Sequence, residues 1–351
     1  MSVPGRGDYP SPAMARVRLT GLLLLAAVAL AACGSAANRP TRDPSLNLPS
    51  DNGIRTSVRK ASAPAKTEFP SPAGKTLQEL SQSMSAGPTL AMASSQFDTG
   101  HNRIAFGVIG QDGRPVYGPT ALYVAANPGA PAKGPYVAPA DVLLTEARYR
   151  SKQAATAADP FVAVYGALGV PFAKSGRYAV LAATRQSNGK LAGSGTTITV
   201  SQASQDPIPR VGQKAPKVHT DTLAGAGGDV RKIDTRDPPD DMHKVDFADV
   251  VGKKPVALLF ATPQLCQSRV CGPVTDIAYQ MEAKYGSQMD FIHQEVYVDN
   301  NPAKGLRKPL QEFGLRTEPW LFVVNKQGRI TARLEGSIGV RQFEAAVKSG
   351  L

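Results

Sequence analysis

The last third of the chain alternates continuous apolar runs with amphipathic segments. Val256–Phe260 is apolar at every position, as in strands that are buried on both faces. A helix is predicted over residues 274–284, because Ile277, Met281 and Tyr285 fall near one helical face. The other predicted elements are strands at residues 291–298, 320–325 and 329–334 and helices at residues 304–313 and 340–348. The order β-α-β-α-β-β-α predicts an α/β domain that ends in a hairpin followed by a helix.

The middle of the chain has a different pattern, in which short β-rich runs alternate with turn signals. Residues 103–109 lead into Asp112-Gly113, and residues 177–183 lead into Asn188-Gly189. Residues 196–200 form another β-rich run. We therefore expect an antiparallel β-sandwich over residues 91–205, similar in pattern to the immunoglobulin-like modules of bacterial surface proteins.

The first residues of the chain have the pattern of an export signal. Arg16 and Arg18 precede an apolar run at residues 22–30, and small residues follow up to Cys33. The run is shorter than the roughly 20 residues that a permanent membrane-spanning helix needs. Leu-Ala-Ala-Cys, which ends at Cys33, resembles the bacterial lipobox, in which the cysteine is acylated. The expectation is a lipoprotein signal peptide over residues 1–32; the alternative is an ordinary signal peptide that contains a cysteine.

Residues 33–90 are predicted to be a disordered tether. They are rich in Pro, Ser, Ala and Asn, contain few aromatic residues and show no sustained hydrophobic period. A lipid on Cys33 would then hold the remaining chain at the cell membrane, on its extracytoplasmic face.

Composition excludes several classes of protein. The 351 residues are 42% hydrophobic and 19% charged, which is a normal globular balance. The net charge of +12 is spread along the chain and gives no indication of nucleic-acid binding. Three cysteines are too few for a disulfide-dense scaffold or a four-cysteine zinc site. If Cys33 is acylated, two thiols remain, in a compartment where thiol pairs tend to oxidise.

Those two thiols, Cys266 and Cys271, lie between the first predicted strand of the α/β domain and its first helix. Unpaired amides and the dipole at a helix N-terminus stabilise a thiolate. A second cysteine about one turn away can resolve a mixed disulfide within the molecule. The spacing therefore favours redox chemistry.

The chain order, the cysteine position and Pro319 directly before an apolar strand together resemble the thioredoxin-like superfamily. Residues 211–216, Val-Gly-Gln-Lys-Ala-Pro, also resemble the opening of its peroxiredoxin and TlpA-like members. The resemblance covers residues 208–351. It implies that Cys266 and Cys271 are the redox pair and that Pro319 is a cis-proline beside them. It also implies that no dissolved cofactor is needed and that the partners are protein thiols or disulfides outside the cytoplasm.

The chain departs from the family pattern in the spacing of its cysteines. Four residues separate Cys266 from Cys271, whereas the family pair is normally separated by two. Cys271-Gly272-Pro273-Val274 can also be aligned with Cys-Gly-Pro-Cys, which would put Cys271 first. We favour Cys266 as the attacking thiol because the predicted helix length then fits better.

Three nearby residues are candidate modulators of the thiols. Arg269 would stabilise a thiolate if its side chain points inward, and the carboxylate of Glu318 would disfavour one. Trp320 is expected to pack in the core.

Two other functions remain open from the sequence. The cysteines could form a structural disulfide in a non-catalytic binding or scaffold protein. Alternatively, the two thiols with His293, His243 and Met242 could bind copper(I), as in the SCO group of the superfamily. The acidic run at residues 234–241 is expected to be a solvated loop.

Overall fold

The computed structural model describes residues 43–49, 53–155 and 161–351. The helices are α1 (Ile54–Ala61), α2 (Leu77–Gln82), α3 (Phe247–Val250), α4 (Cys271–Tyr285), α5 (Lys308–Glu312) and α6 (Val340–Gly350). The strands of the first part are β1 (Ser85–Ala86), β2 (Thr89–Met92), β3 (Gly100–Ile109), β4 (Thr120–Ala125), β5 (Lys133–Val137), β6 (Ala140–Val142), β7 (Ala163–Phe172), β8 (Gly176–Arg185) and β9 (Leu191–Val200). The strands of the second part are β10 (Val256–Phe260), β11 (Asp290–Gln294), β12 (Trp320–Val324) and β13 (Ile330–Glu335).

The first nine strands form two sheets. One has the order β1-β9-β8-β4-β5 and the other the order β2-β3-β7-β6. Asn188-Gly189 turns the chain between β8 and β9, which pair antiparallel along their whole length, as the sequence predicted. The Asp112-Gly113 turn also folds the chain back, through an antiparallel bridge between Ile109 and Pro115, before the chain continues to β4 in the other sheet. The immunoglobulin-like topology itself stays a prediction.

The prediction of a disordered tether is wrong for residues 53–90. Helix α1 buries Val58, and helix α2 begins with a capping box between Thr76 and Glu79. Leu80 of α2 is fully buried in a cluster with Tyr123 and other residues of β4 and β8. The proline-rich composition did not reveal this folding because the apolar surface that these helices cover belongs to strands farther along the chain.

The second part contains a four-stranded sheet with the order β11-β10-β12-β13. β10 is parallel to β11 and antiparallel to β12, and β12 and β13 form the predicted hairpin. Phe260, Phe313, Trp320 and Phe322 pack against one another in the core on one side of this sheet. The predicted order of strands and helices is therefore present.

The contacts that join the two parts include hydrogen bonds to the buried carboxylate of Glu335 and from the half-buried side chain of Arg103. Glu335 at the end of β13 accepts bonds from the amides of Ser95 and Gln96, each of 2.8 Å. Arg103 on β3 donates to the carbonyl oxygens of Glu335 and Ser337. Residues 41–351 accordingly form one unit.

Within the described ranges, none of the helices is both long enough and apolar enough to span a bilayer. The predicted signal peptide and Cys33 lie outside these ranges.

Candidate functional site: a thiol pair at the start of a helix

Both cysteines lie where the loop after β10 enters α4. Cys271 is the first residue of the helix, three residues earlier than the sequence predicted, and Cys266 lies in the preceding loop. Both are free thiols, and their sulfur atoms lie within 4.8 Å of each other. Cys266 is 7% exposed, whereas Cys271 is completely buried. Of the two residues, only Cys266 has any surface that a visiting disulfide could meet.

The surroundings of Cys266 favour its thiolate. Hydrogen bonds from the Cys271 thiol, from Ser268 and from the amides of Cys271 and Val270 lower its pKa to about 6, although burial opposes this. The Ser268 hydroxyl oxygen lies 3.2 Å from the sulfur. The two amides are among those that a helix leaves unpaired in its first turn. All four groups favour the charged form of Cys266.

The surroundings of Cys271 favour the protonated thiol. Burial raises its pKa well above the ordinary value, and the hydrogen bond it gives to Cys266 and the charge of that thiolate add to the effect. Glu318, with a carboxylate oxygen within 4.8 Å of both sulfurs, raises it further. Burial and the Cys266 charge in turn raise the pKa of Glu318. The pair thus consists of one ready nucleophile and one protonated thiol beside a carboxyl group.

The other residues named from the sequence have different positions. The Glu318–Pro319 peptide bond is cis, as predicted, and Pro319 is buried next to Glu318. Trp320 packs in the core, with its indole nitrogen donating to Thr317 at 3.1 Å. The Arg269 side chain is exposed, and its backbone is left-handed with φ of 56°. The inward-pointing arrangement considered for Arg269 is therefore not observed.

A loop from the first part of the chain lies directly against the start of α4, which the sequence did not indicate. A Cβ atom added at Gly272 would lie 2.2 Å from the carbonyl oxygen of Gln153. Glycine is therefore required at the residue after Cys271, because any side chain would collide with backbone. The Gln153 loop therefore packs against the residue that follows Cys271.

A buried ion pair fixes this loop to α4. Arg236 Nε lies 2.9 Å from Asp276 Oδ1, and both side chains are almost fully buried. The guanidinium also donates to the Tyr149 carbonyl at 2.7 Å, and Asp276 accepts from the Ser151 amide at 3.0 Å. Only the folded chain brings these residues together, so no local sequence signal could have found them.

The copper(I) ligand set considered from the sequence is not assembled. In the part of the chain that the structure describes, the candidate ligands form two separate groups. Cys266 and Cys271 lie with Glu318, whereas His243 and His293 lie with two aspartates, Asp234 and Asp240. The prediction of a solvated acidic loop at 234–241 is wrong for these aspartates, because both are buried against the histidines.

Comparison with known proteins gives structural neighbours only. No family model matches the chain, and no curated protein matches it. A putative thiol:disulfide interchange protein DsbE from Chlorobium tepidum is 17% identical, with 40% of this chain and 99% of that chain covered, at a TM-score of 0.28. A thioredoxin-family thiol:disulfide interchange protein from Chlorobium tepidum TLS is 15% identical, with 40% of this chain and 97% of that chain covered, at a TM-score of 0.24. A thioredoxin-like superfamily protein is 13% identical, with 30% of this chain and 85% of that chain covered, at a TM-score of 0.22.

Proposed function

We propose that this chain is a membrane-anchored, extracytoplasmic thiol–disulfide oxidoreductase with a thioredoxin-like C-terminal domain. The observation that supports it best is the opposite shift of the pKa values of two adjacent thiols: Cys266, the more exposed of the two, has a pKa of about 6, and the pKa of Cys271 is raised. A purely structural disulfide needs neither a thiolate nor an accessible sulfur. Redox exchange needs both.

In the proposed reaction, the Cys266 thiolate attacks one sulfur of a substrate disulfide. The attacked sulfur forms a mixed disulfide with Cys266, and the other substrate sulfur leaves as a thiolate. Cys271 then loses its proton and attacks the Cys266 sulfur, which releases the second substrate thiolate. Two electrons pass to the substrate and the Cys266–Cys271 disulfide remains; the reverse sequence oxidises a substrate dithiol.

Glu318 is the proposed acceptor of the Cys271 proton. Its carboxylate lies within 4.8 Å of both sulfurs, and burial, the largest cause that raises its pKa, persists when Cys266 is in the mixed disulfide. Once the Cys266 sulfur is bonded in the mixed disulfide, it no longer carries a negative charge. The pKa of Cys271 then falls, because that charge is one of the causes that raise it.

Insulin reduction tests the redox proposal. With dithiothreitol as the electron source, the chain should accelerate precipitation of the insulin B chain, and Cys266→Ser should abolish the acceleration. Cys33→Ala, which leaves the pair intact, is the matched control. Equal activity of Cys266→Ser and the unchanged chain would overturn the proposal.

The anchoring proposal depends on the lipobox resemblance at Cys33 and is tested separately. Bacterial cells that express the chain should incorporate labelled palmitate into it, and Cys33→Ala should lose both the label and the membrane association. Cys266→Ser serves as the control, because it removes a different cysteine. A Cys33→Ala chain that is still labelled would contradict the assignment of the lipidation site.

A further inference from the structure

A second group of side chains that could bind a metal ion lies apart from the thiol pair. Asp234, Asp240 and His243 come from the segment that precedes α3, and His293 comes from β11. All four residues are buried, and one ligand-capable atom of each lies within 4.8 Å of the others. Four potential ligands therefore converge on one point inside the protein.

His243 supplies an independent sign that something belongs between these residues. Its side chain is 2% exposed, and neither ring nitrogen has a hydrogen-bond partner. Nε2 lies 3.5 Å from Asp234 Oδ2 and 3.4 Å from Asp240 Oδ1. These separations exceed the roughly 2.7–2.9 Å of a charge-assisted hydrogen bond. A buried imidazole without a hydrogen-bond partner lowers the stability of the fold by about 1–3 kcal/mol. A ligand bound to His243 would remove that cost.

The same separations fit a tetrahedral metal ion. With bonds of about 2.0–2.2 Å to nitrogen and oxygen, neighbouring ligand atoms around tetrahedral zinc lie about 3.3–3.6 Å apart. The distances from His243 to both aspartates fall in that interval.

His293 is oriented as a metal ligand would be. Its Nδ1 faces the group, 2.9 Å from Asp240 Oδ2 and 3.7 Å from Asp234 Oδ1. Its Nε2 lies 3.2 Å from the carbonyl oxygen of Ala261. In the metal-free protein Nδ1–H donates to Asp240. A metal ion would displace that proton, and Nε2–H would keep its bond to the Ala261 carbonyl, which is the usual arrangement around a ligating histidine.

Backbone amides hold the two carboxylates in place. Asp234 accepts from the amides of Arg236 at 2.7 Å and Asp240 at 2.8 Å, and Asp240 accepts from the Met242 amide at 2.9 Å. The Arg236 side chain does not neutralise them, because its guanidinium is bound to Asp276, Pro238 and Tyr149. A divalent cation that displaces the His293 proton would balance the charge of the two carboxylates.

We propose that Asp234, Asp240, His243 and His293 form a structural site for one divalent transition-metal ion, with zinc as the best fit. Two imidazoles and two carboxylates suit zinc, whereas copper(I) prefers sulfur ligands and magnesium or calcium prefers oxygen alone. The ion would fasten the segment before α3 to β11. It would also fix Ala261, from which the Cys266 loop begins.

The test uses the full chain with all three cysteines, Cys33, Cys266 and Cys271, replaced by serine, so that no thiol can bind metal. After treatment with EDTA, this parent should bind one Zn²⁺ per chain in calorimetric titration and should show the visible absorption of tetrahedral Co²⁺. Zinc should also raise its thermal unfolding midpoint, since an ion that binds only the folded state stabilises it.

Variants in the same parent assign the ligands. His243→Ala and Asp234→Asn should weaken zinc binding by at least about 100-fold. His219→Ala should bind like the parent; His219 also contacts an aspartate, Asp246, but is exposed. Circular dichroism of the metal-free variants shows whether they are folded.

Two results would overturn the proposal. One is a parent that binds no stoichiometric zinc, which needs no variant to interpret. The other is a folded His243→Ala chain that binds zinc as tightly as the parent. Both results are independent of the redox proposal, because the cysteines are absent from every protein in the test.

Discussion

Removal of the Cys271 thiol should move the pH at which Cys266 becomes a nucleophile. The hydrogen bond from Cys271 is the largest cause that lowers the Cys266 pKa to about 6, and the Ser268 hydroxyl contributes less. A hydrogen bond to a charged group is worth about 1.5–3 kcal/mol, and 1.36 kcal/mol corresponds to one pH unit. Cys271→Ala should therefore raise the midpoint by about one to two pH units, and Ser268→Ala by a smaller amount.

The rate itself is a weaker indicator than the midpoint. At pH 7 a thiol with a pKa of about 6 is about 90% ionised, compared with about 1% for one at the ordinary 9.0. A less basic thiolate is also less nucleophilic, by about 20-fold over three pKa units. The net advantage is about fivefold at pH 7 but about 40-fold at pH 5.

The assay measures how fast the reduced chain reacts with a dipyridyl disulfide from about pH 4 to 9. Cys33→Ala is the parent, so that only the pair reacts, and the released thiopyridone is followed by absorbance. The parent should release two thiopyridones per chain and Cys271→Ala only one. Ser287→Ala, at an exposed serine just after α4, is the matched control for Ser268→Ala. A parent midpoint above about pH 8, or an unchanged midpoint in Cys271→Ala, would refute the reasoning.

Three further predictions concern the surroundings of the pair. Gly272→Ala should destabilise the chain by about 1–3 kcal/mol in urea unfolding, because its Cβ would collide with the Gln153 carbonyl. Glu318→Gln should raise the reduction potential by tens of millivolts, on the order of 1 kcal/mol, because removal of the carboxylate charge favours the Cys266 thiolate of the reduced form. Leu80→Ala should cost about 2–5 kcal/mol, because its side chain is fully buried in the cluster of α2 and the adjacent sheet.

Each of these variants has a control elsewhere in the chain. Gly195→Ala has nothing nearer than 4.0 Å to its added Cβ and should be nearly neutral. Glu312→Gln removes an exposed carboxylate and should leave the potential unchanged. Leu168→Ala removes an exposed leucine and should cost little. If a test variant changes stability or potential no more than its control does, the prediction for that variant is contradicted.

The sequence predicted the elements of the second part because their signals are local. Val256–Phe260 was located exactly as β10, since a strand buried on both faces is apolar at every position. The start of α4 was placed three residues late because Cys271-Gly272-Pro273 has the composition of a loop. Proline is nevertheless tolerated in the first turn of a helix, where its missing amide has no partner to lose.

What the sequence could not predict depends on contacts between distant residues. The folding of residues 53–90 depends on a sheet surface around Tyr123 and Leu181 that no window of those residues contains. Asp234 and Asp240 are hydrophilic in isolation and become buried because two histidines face them. The Gln153 loop, which packs against Gly272, likewise comes from a part of the chain for which the sequence pattern gave no assignment.

The central claim is that Cys266 and Cys271 exchange electrons reversibly while the protein stays folded. The most direct test equilibrates the Cys33→Ala chain in dithiothreitol and glutathione buffers of graded potential and follows the pair by alkylation and mass spectrometry. The account predicts one reversible two-electron transition with unchanged circular dichroism, which is absent in Cys266→Ser and in Cys271→Ser. Thiols that stay free in every oxidising buffer, or a disulfide that can be reduced only after unfolding, would contradict it.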